Sequence, residues 1–211
     1  LAGDLALGGS SIPGAYVFPP LIAAFKQDHP EATVTLHVKA SRDIVRGVGD
    51  GTYEVGMVGA RFEEGRVRYD RCGQDELVLA VSASHPWADR GAVRLRDLLG
   101  QPLIMRERGS GTRKAMEKAL AEYAVDRDRL RVVLEVTSNE AVRQAVKAGA
   151  GVAVISRRAV QDDIRFGLVV GLRFREVRLL RDFFLVTHRT RSRSPLANAF
   201  TAFLRTSSAS V

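Results

Sequence analysis

Short apolar segments alternate along this chain with longer amphipathic segments. That alternation is typical of a mostly parallel sheet whose strands are connected by helices, because the helices cover the faces of the sheet. The predicted strands cover residues 4–7, 33–38, 55–58, 76–81, 103–106, 131–136, 152–155 and 183–187. The fold class predicted from this pattern is α/β.

Three of the intervening segments place apolar residues at helical spacing, and they cover residues 16–29, 112–123 and 139–148. The pair Ser194-Pro195 predicts a helix cap followed by proline in the first turn, which opens a last helix that runs through Leu204. The tail, residues 206–211, is predicted to be disordered.

The length of 211 residues suffices for one large domain or for two compact lobes, each with its own core. The sequence contains no run of about 18 apolar residues, so no membrane span is expected. The single cysteine, Cys72, cannot form an internal disulfide and is interpreted as an incidental strand residue. A cytoplasmic location is therefore favoured. The start at Leu1, without an initiator methionine or a signal peptide, indicates a processed or cut piece.

The formal net charge of +8 raises the question of nucleic-acid binding. Seven arginines lie between Arg173 and Arg193, but they alternate with apolar residues as on a strand, without aromatic residues suited to stacking on bases. We interpret this arginine-rich segment as a solvated strand face, for which the sequence indicates no partner.

Three turns that lead from a strand into a helix carry small hydroxyl residues, glycines or both. They cover residues 8–14, 106–113 and 137–140. Unpaired amides and the helix dipole make such turns suitable for anions, and the glycines of the first turn would let its backbone approach a ligand. In the third turn Thr137 and Glu140 fit a capping box, which would leave the Ser138 hydroxyl pointing outward. Helix capping alone is the alternative explanation for each turn.

The order and spacing of several short motifs resemble the effector-binding domain of LysR-type transcriptional regulators. The resemblance covers nearly the whole chain, and it is carried by residues 3–8, 18–21, 25–30, 51–58, 75–79, 85–86, 102–104, 106–113, 148–153, 193–195 and 200–204. It implies the type II periplasmic-binding-protein fold, with two Rossmann-like lobes joined by crossover hinge strands.

The resemblance further implies a discontinuous lobe I over residues 1–82 and 183–211 and a lobe II over residues 83–182. The hinges would lie near residues 81–84 and 180–184. The helix-turn-helix DNA-binding domain of the family would precede Leu1 and is expected to be absent from this chain, so DNA would be bound only through that missing domain.

In such regulators an effector lies in the cleft between the lobes, which implies a ligand-binding role for the residues at matching positions. These are Ser10, Ser11, Ser41, Ser110, Thr112, Thr137 and Ser138, with Arg108 and Arg42 as candidates for charge neutralisation. The turn before Ser41, Lys39-Ala40, departs from the polar type that is common in the family. The helix starts and arginines favour an anionic effector.

The function expected is therefore sensing of a small anionic metabolite, with a homodimer formed through this domain and a tetramer as a further state of the full-length regulator. The alternative is a solute-binding protein of a transporter for a small anion, which would have the same fold. No enzyme, metal or cofactor is expected, because the four histidines are dispersed, no Gly-x-Ser-x-Gly motif exists and Cys72 has no local activating partner.

Overall fold

A computed structural model describes residues 1–206 of the chain. It divides into two compact units, one made of Leu1–Gln74 and the chain from Asp182 onward, the other of Asp75–Arg181. The chain passes from one unit to the other twice, once within strand β4 (Val67–Ser82) and once within strand β10 (Leu180–His188). From the sequence we predicted that the first passage between the lobes lies at the end of β4. The predicted lobe bounds, residues 1–82 with 183–211 and residues 83–182, stay a prediction.

The sheet of the first unit has the strand order β2-β1-β3-β10. Strand β1 (Gly3–Ser10) pairs in parallel with β2 (Ala32–Lys39) and β3 (Val55–Val58), while β10 runs antiparallel to β3. The parallel arrangement therefore holds for the first three strands. It brings the carboxyl ends of β1, β2 and β3 to one edge, where the first predicted turn begins.

Three helices belong to the first unit: α1 (Phe18–Asp28), α2 (Ser41–Asp50) and α6 (Pro195–Thr206). A π-helical turn, Pro13–Val17, leads into α1, so the helical segment begins before the predicted residue 16. Pro19 and Pro20 follow directly and have no N–H to donate, which reduces the cost of a wide turn at this point. The predicted last helix is present in α6. The predicted disorder beyond Thr206 lies outside the described residues.

The glycines of the first turn have a packing role. A Cβ atom on Gly9 would lie 2.4 Å from the Cα of Gly14, and one on Gly8 would lie 2.8 Å from the ring of Tyr53. Side chains at these positions would collide with the protein itself, so the space that we predicted for approach to a ligand is filled by the chain.

The second unit combines antiparallel and parallel pairings. Strand β4 pairs antiparallel with β8 (Ala153–Ser156) and β9 (Val169–Phe174), and β9 pairs in parallel with β5 (Ala92–Val93). A separate parallel pair consists of β6 (Pro102–Arg106) and β7 (Arg131–Val136). The mostly parallel sheet predicted from the sequence is therefore wrong in detail for this unit, although the α/β class is confirmed.

The helices of the second unit are α3 (Gly111–Glu122), α4 (Asn139–Lys147) and α5 (Arg157–Arg165). The apolar face of α3 packs in a core that includes Leu79, Trp87, Leu98, Met116 and Leu172. Each of these side chains is at most 7% exposed. The parallel pair β6-β7 holds the starts of α3 and α4 close to its carboxyl edge.

Cys72 lies in β4, as its interpretation as a strand residue required. Burial raises the pKa of its thiol to about 12, so almost none of it is ionised at neutral pH. Among residues 1–206, no helix is long and apolar enough to cross a membrane. The same residues contain no group of three or more histidine, cysteine or acidic side chains arranged to hold a metal ion.

Candidate ligand-binding site

The predicted serines of the first unit lie at helix starts along the carboxyl edge of its parallel strands. Ser10 ends β1, and its buried hydroxyl accepts a hydrogen bond of 3.2 Å from the Gly59 amide. Ser11 begins the helical segment and is half-buried. Ser41 is the first residue of α2 and is 2% exposed, while the cap position itself is Ala40. The side chain before α2 therefore provides no cap, which leaves the first-turn amides without one.

The second predicted turn has its two hydroxyls in different environments. The Ser110 hydroxyl caps α3 by accepting from the Arg113 amide at 3.4 Å, and Ser110 is 3% exposed. Thr112 is 4% exposed, and its Oγ1 accepts from Arg181 at 2.9 Å. The first turn of α3 is thus capped by a serine, and a buried guanidinium holds the threonine beside it.

The third turn differs from its prediction. Ser138, not Thr137, is the cap of α4, since its hydroxyl accepts from the Ala141 amide at 3.1 Å. The capping box of Thr137 and Glu140 is therefore wrong, and so is the outward hydroxyl assigned to Ser138. Strand β7 ends at Val136, and the Thr137 carbonyl accepts from Arg106, which shifts the cap by one residue. Thr137 and Ser138 are both exposed.

Arg106 connects the second and third turns. Its guanidinium donates to the Asn139 side chain at 2.5 Å and to the Thr137 carbonyl at 3.1 Å, and it pairs with Glu107 at 2.8 Å. Arg106 is 3% exposed and ends β6. Its guanidinium fixes the start of α4, and its carbonyl accepts from Arg113 in the first turn of α3 at 2.9 Å. We call the set Arg106, Ser110, Thr112, Thr137 and Ser138 the helix-start cluster.

A buried charge network contacts the cluster at Thr112, and no local sequence pattern predicted it. Arg181 pairs with Asp75 at 2.7 Å and also holds Thr112, while Ser156 donates to Asp75 at 2.8 Å. Burial lowers the pKa of the Arg181 guanidinium, and the Asp75 carboxylate opposes that effect. The network joins residues from β4, β8, α3 and β10 that lie far apart in sequence.

The predicted arginines are not equivalent. Arg108 is exposed at the start of the second turn. Arg113 is occupied by Glu117 and Glu135, and although burial opposes its charge, these hydrogen bonds raise the pKa of its guanidinium. In the first unit, Arg42 lies 5.1 Å from the centre of the Phe62 ring. Arg42 is exposed like Arg108, so the charge-neutralising role of both residues stays a prediction.

Three of the four hydroxyls in the helix-start cluster share a hydrogen-bonding state. In Ser110, Thr112 and Ser138 the oxygen accepts from a protein donor, so the O–H proton can be donated to another acceptor. The first helical bond of α3 comes from Lys114, and the amides of Gly111 and Thr112 precede it. Hydroxyl and amide donors therefore converge where helix dipoles also favour negative charge.

The arginine-rich segment is divided among three environments. Arg173, Arg175 and Arg178 line a cavity of about 1020 Å³ in the second unit. The residues that line this cavity include none of the predicted ligand-binding residues. Arg181 is buried, so interpretation of the segment as a solvated strand face is wrong there. Arg189, Arg191 and Arg193 lie in the turn between β10 and α6 of the first unit.

Comparison with protein families gives a match along nearly the whole chain. The family model described as LysR substrate-binding domain matches residues 1–209. A protein of Anaeromyxobacter dehalogenans, named phosphonates import ATP-binding protein PhnC, is 36% identical over 94% of this chain. A probable RuBisCO transcriptional regulator of Cyanophora paradoxa is 30% identical over the same share. The chain spans 40% and 62% of the lengths of these two relatives.

Two solved structures are similar over the full chain. The effector-binding domain of QuiR in complex with shikimate has a TM-score of 0.90 at 20% identity, covering 100% of this chain and 99% of that one. The regulatory domain of Synechocystis PCC6803 CcmR in complex with 2-PG has a TM-score of 0.87 at 27% identity, covering 98% and 97%. The predicted fold of two lobes joined by crossover strands is confirmed by these likenesses.

Proposed function

Since this chain belongs to the family of LysR substrate-binding domains, we propose that it senses a small-molecule effector for a transcriptional regulator. The observation that carries the proposal is the helix-start cluster, in which Arg106 holds two helix starts together and three hydroxyls keep a proton to donate. Donor groups fixed in advance lose little freedom when they bind an acceptor, which favours affinity.

We propose that the effector is anionic. The cluster offers donors and helix N-termini, and the nearby carboxylates are already paired, Glu107 with Arg106 and both Glu117 and Glu135 with Arg113. Arg108 is exposed beside it and supplies a positive charge. The solved likenesses hold shikimate and 2-PG, which makes these two compounds suitable first probes.

Replacing both Ser110 and Thr112 with alanine is expected to weaken binding of the probe that binds best by at least tenfold. A hydrogen bond to a charged group contributes about 1.5–3 kcal/mol, and each factor of ten in affinity is about 1.4 kcal/mol. The measurement is isothermal titration calorimetry with shikimate, 2-PG and a panel of small carboxylates. Calorimetry is needed because loss of the α3 cap and of the Arg181 acceptor also lowers the melting temperature.

Two control variants separate binding from stability. Ser194→Ala removes a comparable cap from α6 in the other unit and should leave the affinity within twofold. Thr112→Ser keeps the hydroxyl, so this variant should retain most of the wild-type affinity that the double alanine variant loses. Equal losses in Ser194→Ala would contradict a role for the cluster, and binding of uncharged compounds alone would contradict the anionic effector.

We further propose that the domain forms a homodimer through exposed apolar side chains on edge strands. In β7, Val132, Val133 and Leu134 are 45%, 44% and 38% exposed, so both faces of this strand carry open apolar groups. In the first unit, Val38 on the edge strand β2 is 49% exposed. Exposed apolar edge strands are unusual in monomers, and a second copy would cover them.

Replacing Val132 and Leu134 with lysine is expected to convert the dimer to a monomer, because two charges would be buried at the interface. Size-exclusion chromatography with light scattering measures the mass directly. Leu168→Lys is the control, since Leu168 is 50% exposed but lies in the turn before β9. A wild-type protein that is monomeric at high concentration would contradict the proposal.

The remaining features of the regulator are proposed on the family relationship. We place DNA binding in a separate helix-turn-helix domain, a tetramer among the states of the full-length protein, and the protein in the cytoplasm. We propose no catalytic activity for this domain. The alternative of a transporter's solute-binding protein is not favoured, because the family model and both solved likenesses describe regulator domains.

A further inference from the structure

A second concentration of positive charge lies in the first unit, in the turn between β10 and α6. A cavity of about 300 Å³ opens there, and its lining includes Arg68, Arg189, Arg191 and Arg193 together with His188 and Asn198. Among residues 1–206, no carboxylate lines it. The cavity involves none of the residues in the helix-start cluster, so a ligand bound here would occupy a separate site.

The backbone of this turn is fixed at both ends. The His188 Nδ1 accepts from the amides of Thr190 and Arg191, at 3.2 Å and 2.9 Å. Ser194 donates its amide and its hydroxyl to the two carboxylate oxygens of Glu54, at 2.8 Å and 3.1 Å. Because Nδ1 accepts, a neutral His188 ring carries its proton on Nε2, where it can be donated to a ligand.

Neutral groups orient two of the guanidinium groups. Arg189 donates its Nε to the Val67 carbonyl at 2.8 Å, and Arg193 donates its Nε to the Asn198 side chain at 3.0 Å. These acceptors hold the side chains in place without cancelling their charge. Among the described residues, no carboxylate lies within 4.0 Å of Arg189, Arg191 or Arg193.

The other two arginines complete the site. Arg191 lies against Gly51, where a Cβ atom would be 1.2 Å from its Nη1, so this position depends on the glycine. Gly51 follows the carboxyl end of α2, which favours a cation. Arg68 pairs with Asp70 at 3.3 Å, and Asp70 is also 3.5 Å from Arg205, so one carboxylate is shared by two arginines.

We propose that this turn binds the phosphate group of a small phosphorylated metabolite, or free phosphate, as a second anion site. Guanidinium groups match phosphate oxygens in geometry, since each can donate two parallel hydrogen bonds. The volume lies at the low end for small-ligand pockets, which favours a single phosphate group over an extended polyanion.

The test is calorimetric titration of the wild-type domain with inorganic phosphate at low ionic strength, followed by glycerol phosphate to distinguish free phosphate from a phosphate ester. In Arg189→Gln/Arg193→Gln the affinity for phosphate is expected to fall by at least tenfold. The control Arg129→Gln/Arg165→Gln removes the same number of charges from exposed positions in the other unit and should change the affinity less than twofold.

Two further variants make the result specific. Gly51→Ala leaves the net charge unchanged but displaces Arg191, and it should weaken phosphate binding severalfold. The Ser110→Ala/Thr112→Ala variant should bind phosphate at this site normally. Failure of wild type to bind phosphate, or equal losses in the charge-matched control, would overturn the proposal. If wild type binds random-sequence duplex DNA but not phosphate, and if the DNA binding requires these arginines, the turn is a nucleic-acid contact and not a phosphate site.

Discussion

Asp75→Asn is expected to lower the free energy of unfolding by about 3–5 kcal/mol, because it would leave a buried guanidinium without its counter-charge. Arg181 is 7% exposed and Asp75 is 2% exposed, and they approach to 2.7 Å. The substitution would also weaken the bond from the Ser156 hydroxyl. Urea unfolding followed by the fluorescence of Trp87, which lies in the core of the same unit, measures the change.

The neighbouring residue provides the control. Glu76 pairs with Arg178 at 3.0 Å, but the Arg178 side chain is 71% exposed, so Glu76→Gln should cost less than about 1 kcal/mol. Replacing both members of the buried pair, as Asp75→Leu/Arg181→Met, should recover much of the stability. A loss below about 1 kcal/mol in Asp75→Asn would show that water or another group compensates Arg181.

The second large effect is expected from Phe200→Ala, which should lower the free energy of unfolding by about 3–5 kcal/mol. Phe200 is fully buried on α6, and its ring lies 5.9 Å from that of Phe18 and 5.0 Å from that of Phe25. Removing it would leave a cavity between α6 and α1. Circular dichroism during urea unfolding measures the loss.

Phe203 offers a matched comparison three residues along the same helix. Its ring lies 6.4 Å from that of Phe200, but the side chain is only partly buried. Phe203→Ala should therefore cost clearly less than Phe200→Ala. Equal effects would mean that α6 is stabilised by its whole aromatic surface and that the buried position of Phe200 has no special weight.

The sequence predicts regular elements well where periodicity extends over several turns or strand residues. Helices α3 and α4 agree with their predicted bounds to within one residue. The helix α5 was missed, because five of its nine residues are charged and its buried face has only Ala159, Val160 and Asp163. Strand β9 was missed because Gly171 interrupts a short apolar segment.

The candidate site was predictable in its local chemistry and not in its connections. Ser110 and Ser138 lie at helix starts, as small hydroxyl residues before helices often do. The cap of α4 was placed one residue early because Thr137 and Ser138 both suit the position, and the contact with Arg106 decides between them. The buried network connects residues on different strands, Asp75, Ser156 and Arg181. Contacts between residues so far apart in the sequence cannot be predicted from sequence spacing.

Cys72 is half-buried, and burial raises the pKa of its thiol to about 12, above that of an exposed cysteine. Because the thiolate is the reactive form, Cys72 should react with thiol reagents more slowly than an exposed cysteine. A cysteine introduced at an exposed position should therefore take up a fluorescent label faster than the native residue does. The fold thus provides a ready background for measuring distances within the domain as an effector binds.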